Sequence, residues 1–145
     1  MARRWSKLKS KIEALFSENL DLQIHCTTYM TDNTFGAPYP RHWIVLDKKI
    51  IFDFPSQFLE WKHPGVAGAV PYIDSETGTL SDLMEEYLET PKLELLDKVF
   101  ERDQWGFTDI LKASDRRLGK SRLAQKFENR LPESAVAQVL NARGI

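Results

Sequence analysis

A single cysteine, Cys26, excludes an internal disulfide framework and suits a reducing compartment. Long apolar runs are also missing. The longest stretch without Asp, Glu, Lys or Arg is His63 to Ile73, eleven residues, too short to span a bilayer. There is no Cys-x-x-Cys, no His-x-x-x-His, no P-loop and no three-glycine dinucleotide turn. Repeats and low-complexity tracts are absent too. Aromatic residues are not scarce: 11% of 145 residues, within 42% hydrophobic, supply a core and exclude disorder for most of the chain.

The net charge of -1 conceals an uneven layout. Residues 1–11 carry five bases and no acid, +5; residues 102–145 carry nine bases and five acids, +4. The ninety residues between hold six bases and sixteen acids, -10. Basic ends therefore flank an acidic centre. Either they solvate or pair with that surface, or they converge into an anion-binding patch.

Hydrophobic spacing gives the elements. Trp5, Leu8, Ile12, Leu15 and Phe16 recur every three or four residues, predicting an amphipathic helix. From Leu20 the period becomes two: Leu22, Ile24 and Cys26 share one face, Gln23 and His25 the other. Strands are predicted at His42–Leu46 and Ile50–Phe54, joined through Asp47, Lys48 and Lys49 as antiparallel neighbours. Ser56–Trp61 reads as one helical turn and His63–Gly78 as irregular chain. A helix begins near Thr79 or Ser81 and ends before Thr90. Thr90-Pro91 predicts the start of another that reaches about Arg102 and buries Leu93, Leu96, Val99 and Phe100. Thr108 is predicted to cap a helix that buries Ile110, Leu111 and Leu118 and ends on Gly119 as its C-cap. Ser121–Arg130 and Pro132–Arg143 complete the set, with Gly144 as a stop. The expectation is one α+β domain over residues 1–145: an N-terminal helix, a three-stranded antiparallel sheet and a helical C-terminal half.

Candidate chemistry is sparse. Cys26 beside His25 suggests a thiol–imidazole dyad, but adjacent strand residues point to opposite faces. His42 reaches Cys26 in one register only. Otherwise His25 and His42 are expected on the wetter sheet face, and no metal or cofactor is expected. Glu85, Glu86 and Glu89, and Glu94 with Asp97, lie along helices as solvated carboxylates or as a docking face for a basic partner. Arg116, Arg117, Lys120 and Arg122 straddle a helix break, where arginines beside a helix N-terminus suit an anion. Arg3 and Arg4 are candidate additions, and Trp5, Trp43 and Trp105 candidate stacking rings for bases. The alternative is an ordinary corner whose arginines pair with Asp109 and Asp115.

Five strings together carry a resemblance: Arg4-Trp5-Ser6-Lys7-Leu8, Leu22-Gln23-Ile24-His25-Cys26, Pro40-Arg41-His42-Trp43-Ile44, Ile50-Ile51-Phe52-Asp53-Phe54-Pro55, and Trp105-Gly106 through Asp115-Arg116-Arg117-Leu118-Gly119. The chain resembles a family of short, uncharacterised bacterial proteins with no assigned reaction, cofactor or substrate. That implies a bacterial, cytoplasmic setting and transfers no catalytic residue. The expected function is therefore non-enzymatic: an interaction or accessory protein that binds a protein partner or itself. An anion-binding module for nucleic acid or a nucleotide at the basic corner is the alternative, and an enzyme with a Cys/His site comes third. No association with a membrane is expected.

Overall fold

The computed structural model describes residues 5–30, 38–54, 79–103 and 105–145; for 27–30, 38–40, 54 and 79 only the backbone is described. The expected turn at Ser56–Trp61 and the irregular segment after it lie outside these residues. Among the described residues the elements are, in order, α1 (Trp5–Glu13), β1 (Leu22–Met30), β2 (Pro38–Leu46), β3 (Lys49–Phe54), α2 (Thr79–Glu89), α3 (Lys92–Leu95), α4 (Phe107–Ser114), α5 (Lys120–Lys126) and α6 (Ala135–Arg143). The architecture is α+β, as the patterning predicts.

The strands form an antiparallel meander in the order β1-β2-β3. Leu22 pairs with Leu46, Ile24 with Ile44 and Cys26 with His42. A register shift at Ile44/Val45 bends β2 against β3. The hairpin between them turns on Asp47 (φ 50) and Lys48 (φ 69). Two consecutive left-handed residues are what a tight hairpin demands, and here they form without the usual glycine. The free edge of β1 is covered by α1, where the Glu13 carboxylate accepts the Ile24 backbone N–H at 2.9 Å.

One hydrophobic core joins the layers: Leu8 and Ile12 of α1, Ile24 and Ile44 of the sheet, and Leu83, Met84 and Tyr87 of α2 are all at most 1% exposed. Helix α4 runs through its centre, with Phe107, Ile110, Leu111 and Ala113 buried, and meets the sheet where Phe107 packs on Phe52 at 5.6 Å. Its N-terminus is held by Asp103, not by Thr108. One carboxylate oxygen accepts the N–H groups of Trp105, Gly106 and Phe107, and the other accepts the N–H and hydroxyl of Thr108. Three orphan donors of the helix start, those of Gly106, Phe107 and Thr108, and the N–H just before it are satisfied by one side chain. The helix predicted over Pro132–Arg143 begins at Ala135, where the Ser134 hydroxyl accepts from Ala137 N–H, and Gly144 closes it at φ 83 as expected.

Three expectations in the C-terminal half are corrected. The helix predicted from Thr90 to Arg102 lasts only from Lys92 to Leu95. Leu95 and Phe100 are the buried residues, whereas Leu93 is 84% and Val99 77% exposed. Five residues of straight α-helix rotate about 140°, so one helix cannot turn both Leu95 and Phe100 inward. The chain breaks instead, and the buried Lys112 ammonium takes the carbonyls of Lys98 (2.7 Å) and Leu96 (3.4 Å). Thr90 does not cap α3. Its hydroxyl donates back to the Glu86 carbonyl and accepts from Lys98 Nζ. The helix predicted to end on Gly119 stops at Ser114, because Asp115 extends to form a bridge with Phe16. Gly119 instead precedes α5, at an ordinary φ of -71.

Candidate interaction surface

The basic corner is built against the C-terminal end of α1. Arg116 donates its backbone N–H to the Leu15 carbonyl (2.7 Å) and its Nε to the Ala14 carbonyl (3.2 Å), while its side chain stays exposed. Arg117 is engaged within the fold. Its Nε and Nη2 donate to the two oxygens of Asp115 at 3.0 and 2.8 Å, and those hydrogen bonds hold its pKa above the usual arginine range. Asp115 is 1% exposed and also accepts the Tyr87 hydroxyl at 2.7 Å. Arg143, buried beside it, donates to the carbonyls of Ala113, Asp115 and Leu118. Of the expected anion ligands, Arg117 is thus a structural group; Arg116, Lys120 and Arg122 are exposed; Arg3 and Arg4 lie outside the described residues. The helix after the break has only seven residues and no side-chain cap, a short source of terminal dipole.

Charge opposes the thiol–imidazole possibility. Cys26 lies opposite His42 in the ladder, so the register that joins them is the one formed. Burial pushes the Cys26 thiol up and the His42 imidazole down to about 4, so both favour the neutral form, the reverse of an activated thiolate–imidazolium pair. His42 is not on the wetter face: it is 4% exposed, with the Trp5 ring edge-on at 4.9 Å. Pairing Cys26 with Ile24 on the core face forces this, because the residue opposite a core-facing residue faces the core too. Native Cys26 is expected to alkylate no faster than in the denatured chain; faster reaction of the native thiol would revive the dyad.

On the opposite sheet face His25 stacks on Trp43 at 5.2 Å, and the Arg41 guanidinium lies 4.7 Å from the same ring. Arg41 in turn makes a two-pronged pair with Asp53, at 2.8 and 2.5 Å. The two histidines are on opposite faces of the sheet and cannot share a ligand; His63 lies outside the described residues. Among the described residues no group of His, Cys, Asp and Glu is placed to hold a metal. Among them, too, no helix is long and apolar enough to cross a membrane.

What the sequence pattern misses is the surface around α3. A hollow of about 750 Å³ is lined by Glu86, Glu89, Leu93, Glu94, Asp97 and Lys98. A second, of about 360 Å³, is lined by Leu93, Leu96, Asp97, Arg122, Gln125 and Lys126. Leu93 and Asp97 line both, so they form a ridge with an acidic hollow on one side and a basic one on the other. Glu86 is partly neutralised by Lys98 at 3.4 Å and Arg102 at 3.5 Å. Four carboxylates and one ammonium line the first hollow. Val99 lines a third hollow, which also meets Lys126. One signal was present in the sequence: Leu93, Leu95 and Leu96 cannot share one helix face, since positions two apart are about 200° apart.

Residues 4–66 match the model of the SF0329 protein family, whose description names no reaction. That match covers less than half of the chain and includes four of the five strings behind the resemblance; the fifth, Trp105–Gly119, lies beyond it. No curated protein and no solved structure matches the chain.

Proposed function

We propose that this chain is a non-enzymatic interaction or accessory protein of the bacterial cytoplasm, with the ridge at Leu93 as its contact surface. The observation behind this reading is the exposure of Leu93, 84%, between an acidic and a basic hollow. A large apolar side chain held in water at the centre of a charged rim has the anatomy of a protein interface. The nucleic-acid alternative loses a ligand because Arg117 is bound to Asp115. Chemistry at Cys26 is opposed by the burial that keeps its thiol protonated. The lone cysteine and the bacterial family resemblance support the cellular setting.

The test is capture of partners from a lysate by tagged protein, with nuclease-treated and untreated arms, beside the Leu93→Asp variant. Leu93 buries little within the fold, so the variant's unfolding free energy should stay within about 0.5 kcal/mol of the parent. Retention of a protein species should survive nuclease and fall at least about tenfold in the variant, the loss expected when an interface anchor is replaced by a charge. Capture that disappears with nuclease, or that Leu93→Asp leaves unchanged, would refute the assignment.

A further inference from the structure

The hollow beside Val99 is built differently from the two along the ridge. It encloses about 470 Å³ between the chain around Phe100, the first turns of α4 and the end of α5, and Leu93 is not among its walls. Small-molecule sites measure about 300–1,000 Å³. Five charged residues line it, and two of them are committed elsewhere. Lys98 pairs with Glu86 and donates to the Thr90 hydroxyl. Asp103 uses both carboxylate oxygens on the start of α4. The other three are Asp109, Lys112 and Lys126. Lys112 is 2% exposed and directs two of its three N–H groups to the carbonyls of Lys98 and Leu96. Its third N–H, the Asp109 carboxylate and the Lys126 ammonium have no hydrogen-bond or ion-pair partner among the described residues. The three groups nevertheless act on one another. Burial, the largest influence, raises the Asp109 pKa, and the ammoniums of Lys112 and Lys126 lower it. Opposite charges thus stand near enough to feel each other and too far apart to pair, with the hollow beside them. A partly buried carboxylate without a donor is costly to the fold, and a ligand that brings a donor removes that penalty.

We infer that this hollow binds a small zwitterion carrying an apolar group, of which an α-amino acid is the simplest. Its ammonium donates to Asp109, and its carboxylate accepts from Lys126 and the free N–H of Lys112. Its apolar group covers Val99, which is 77% exposed, and Phe127. The charge layout selects this class. A simple anion is drawn to the ammoniums but repelled by Asp103 and Asp109, and a simple cation meets the reverse. A molecule with both charges a few bonds apart satisfies Asp109 and Lys126 together. The site is independent of the Leu93 contact surface, so either can fail without the other.

The probe is L-leucine, titrated calorimetrically into the full chain beside two analogues that each lack one charge. These are 4-methylpentanoate, without the ammonium, and 3-methylbutylamine, without the carboxylate. L-Leucine should bind, and each analogue should bind at least about tenfold more weakly, the loss of one charge-assisted hydrogen bond. Asp109→Asn and Lys126→Gln should each weaken L-leucine by at least about tenfold for the same reason. Neither side chain is buried or paired, so both variants should keep the parent's urea midpoint. Arg122→Gln, outside this hollow, should bind L-leucine as the parent does. No binding of L-leucine at millimolar concentration would overturn the inference. So would an analogue that binds as tightly as L-leucine, or affinity that a folded Asp109→Asn variant leaves unchanged.

Discussion

Asp115→Ala is expected to destabilise the fold by about 3 kcal/mol, the lower end of the range for removing one member of a buried charge pair. The carboxylate is 1% exposed and accepts from the Tyr87 hydroxyl, the Arg117 guanidinium and the Arg117 backbone N–H. Its removal strands the Tyr87 hydroxyl in the core, where an unpartnered polar group costs about 1–3 kcal/mol. Arg117 softens the loss because its side chain is 27% exposed and can turn toward water. Asp115 also joins distant parts of the chain, bridging Phe16 and contacting Tyr87 of α2. The check is urea unfolding of Asp115→Ala, Arg117→Gln and Arg122→Gln. The first two should lose stability, whereas Arg122→Gln, at an exposed site, should stay within about 0.5 kcal/mol. Equal effects of the two arginine variants would contradict the division between structural and exposed cations at this corner.

Acidification should destabilise the protein through His42. Burial lowers its pKa from 6.5 to about 4. Between those values the unfolded chain holds a proton that the native imidazole refuses, so stability falls as pH falls. Above about 6.5 both states are neutral and the contribution vanishes; below about 4 both are charged and it levels off. At about 1.4 kcal/mol per unit, the full difference is about 3 kcal/mol, of which about 2 kcal/mol should appear between pH 7 and pH 5. His25, whose pKa burial also lowers, adds in the same direction. Comparing urea midpoints of the parent and His42→Leu at the two pH values isolates the His42 part, since leucine carries no titration. A parent and variant with the same pH slope would show that His42 takes up its proton as readily folded as unfolded.

Where one local rule was enough, the sequence was legible. The apolar stripe of α1, the period-two strand at Leu22–Cys26, the extent of α2, and the Gly144 stop all follow from spacing or from a single residue's conformational preference. The alternation that hides Cys26 was readable as well, because side-chain direction in a strand is fixed by the pleat. Spacing points to Thr108 as the cap, whereas Asp103 caps the helix from several residues before its start. The face of His42 is not legible in its own neighbours, because its direction depends on register across two strands.

The candidate site was the least legible part. Arg117 and Arg122 look alike in sequence, and only the folded arrangement of Asp115, Tyr87 and α1 makes one structural and leaves the other exposed. The exposure of Leu93 and Val99 likewise follows from a helix break that satisfies Lys112, sixteen residues after Leu96, and Phe100. Local periodicity determines which faces of a segment are apolar. Which of two competing apolar faces turns inward is decided by the polar groups that must be satisfied in the core, and those come from distant parts of the chain.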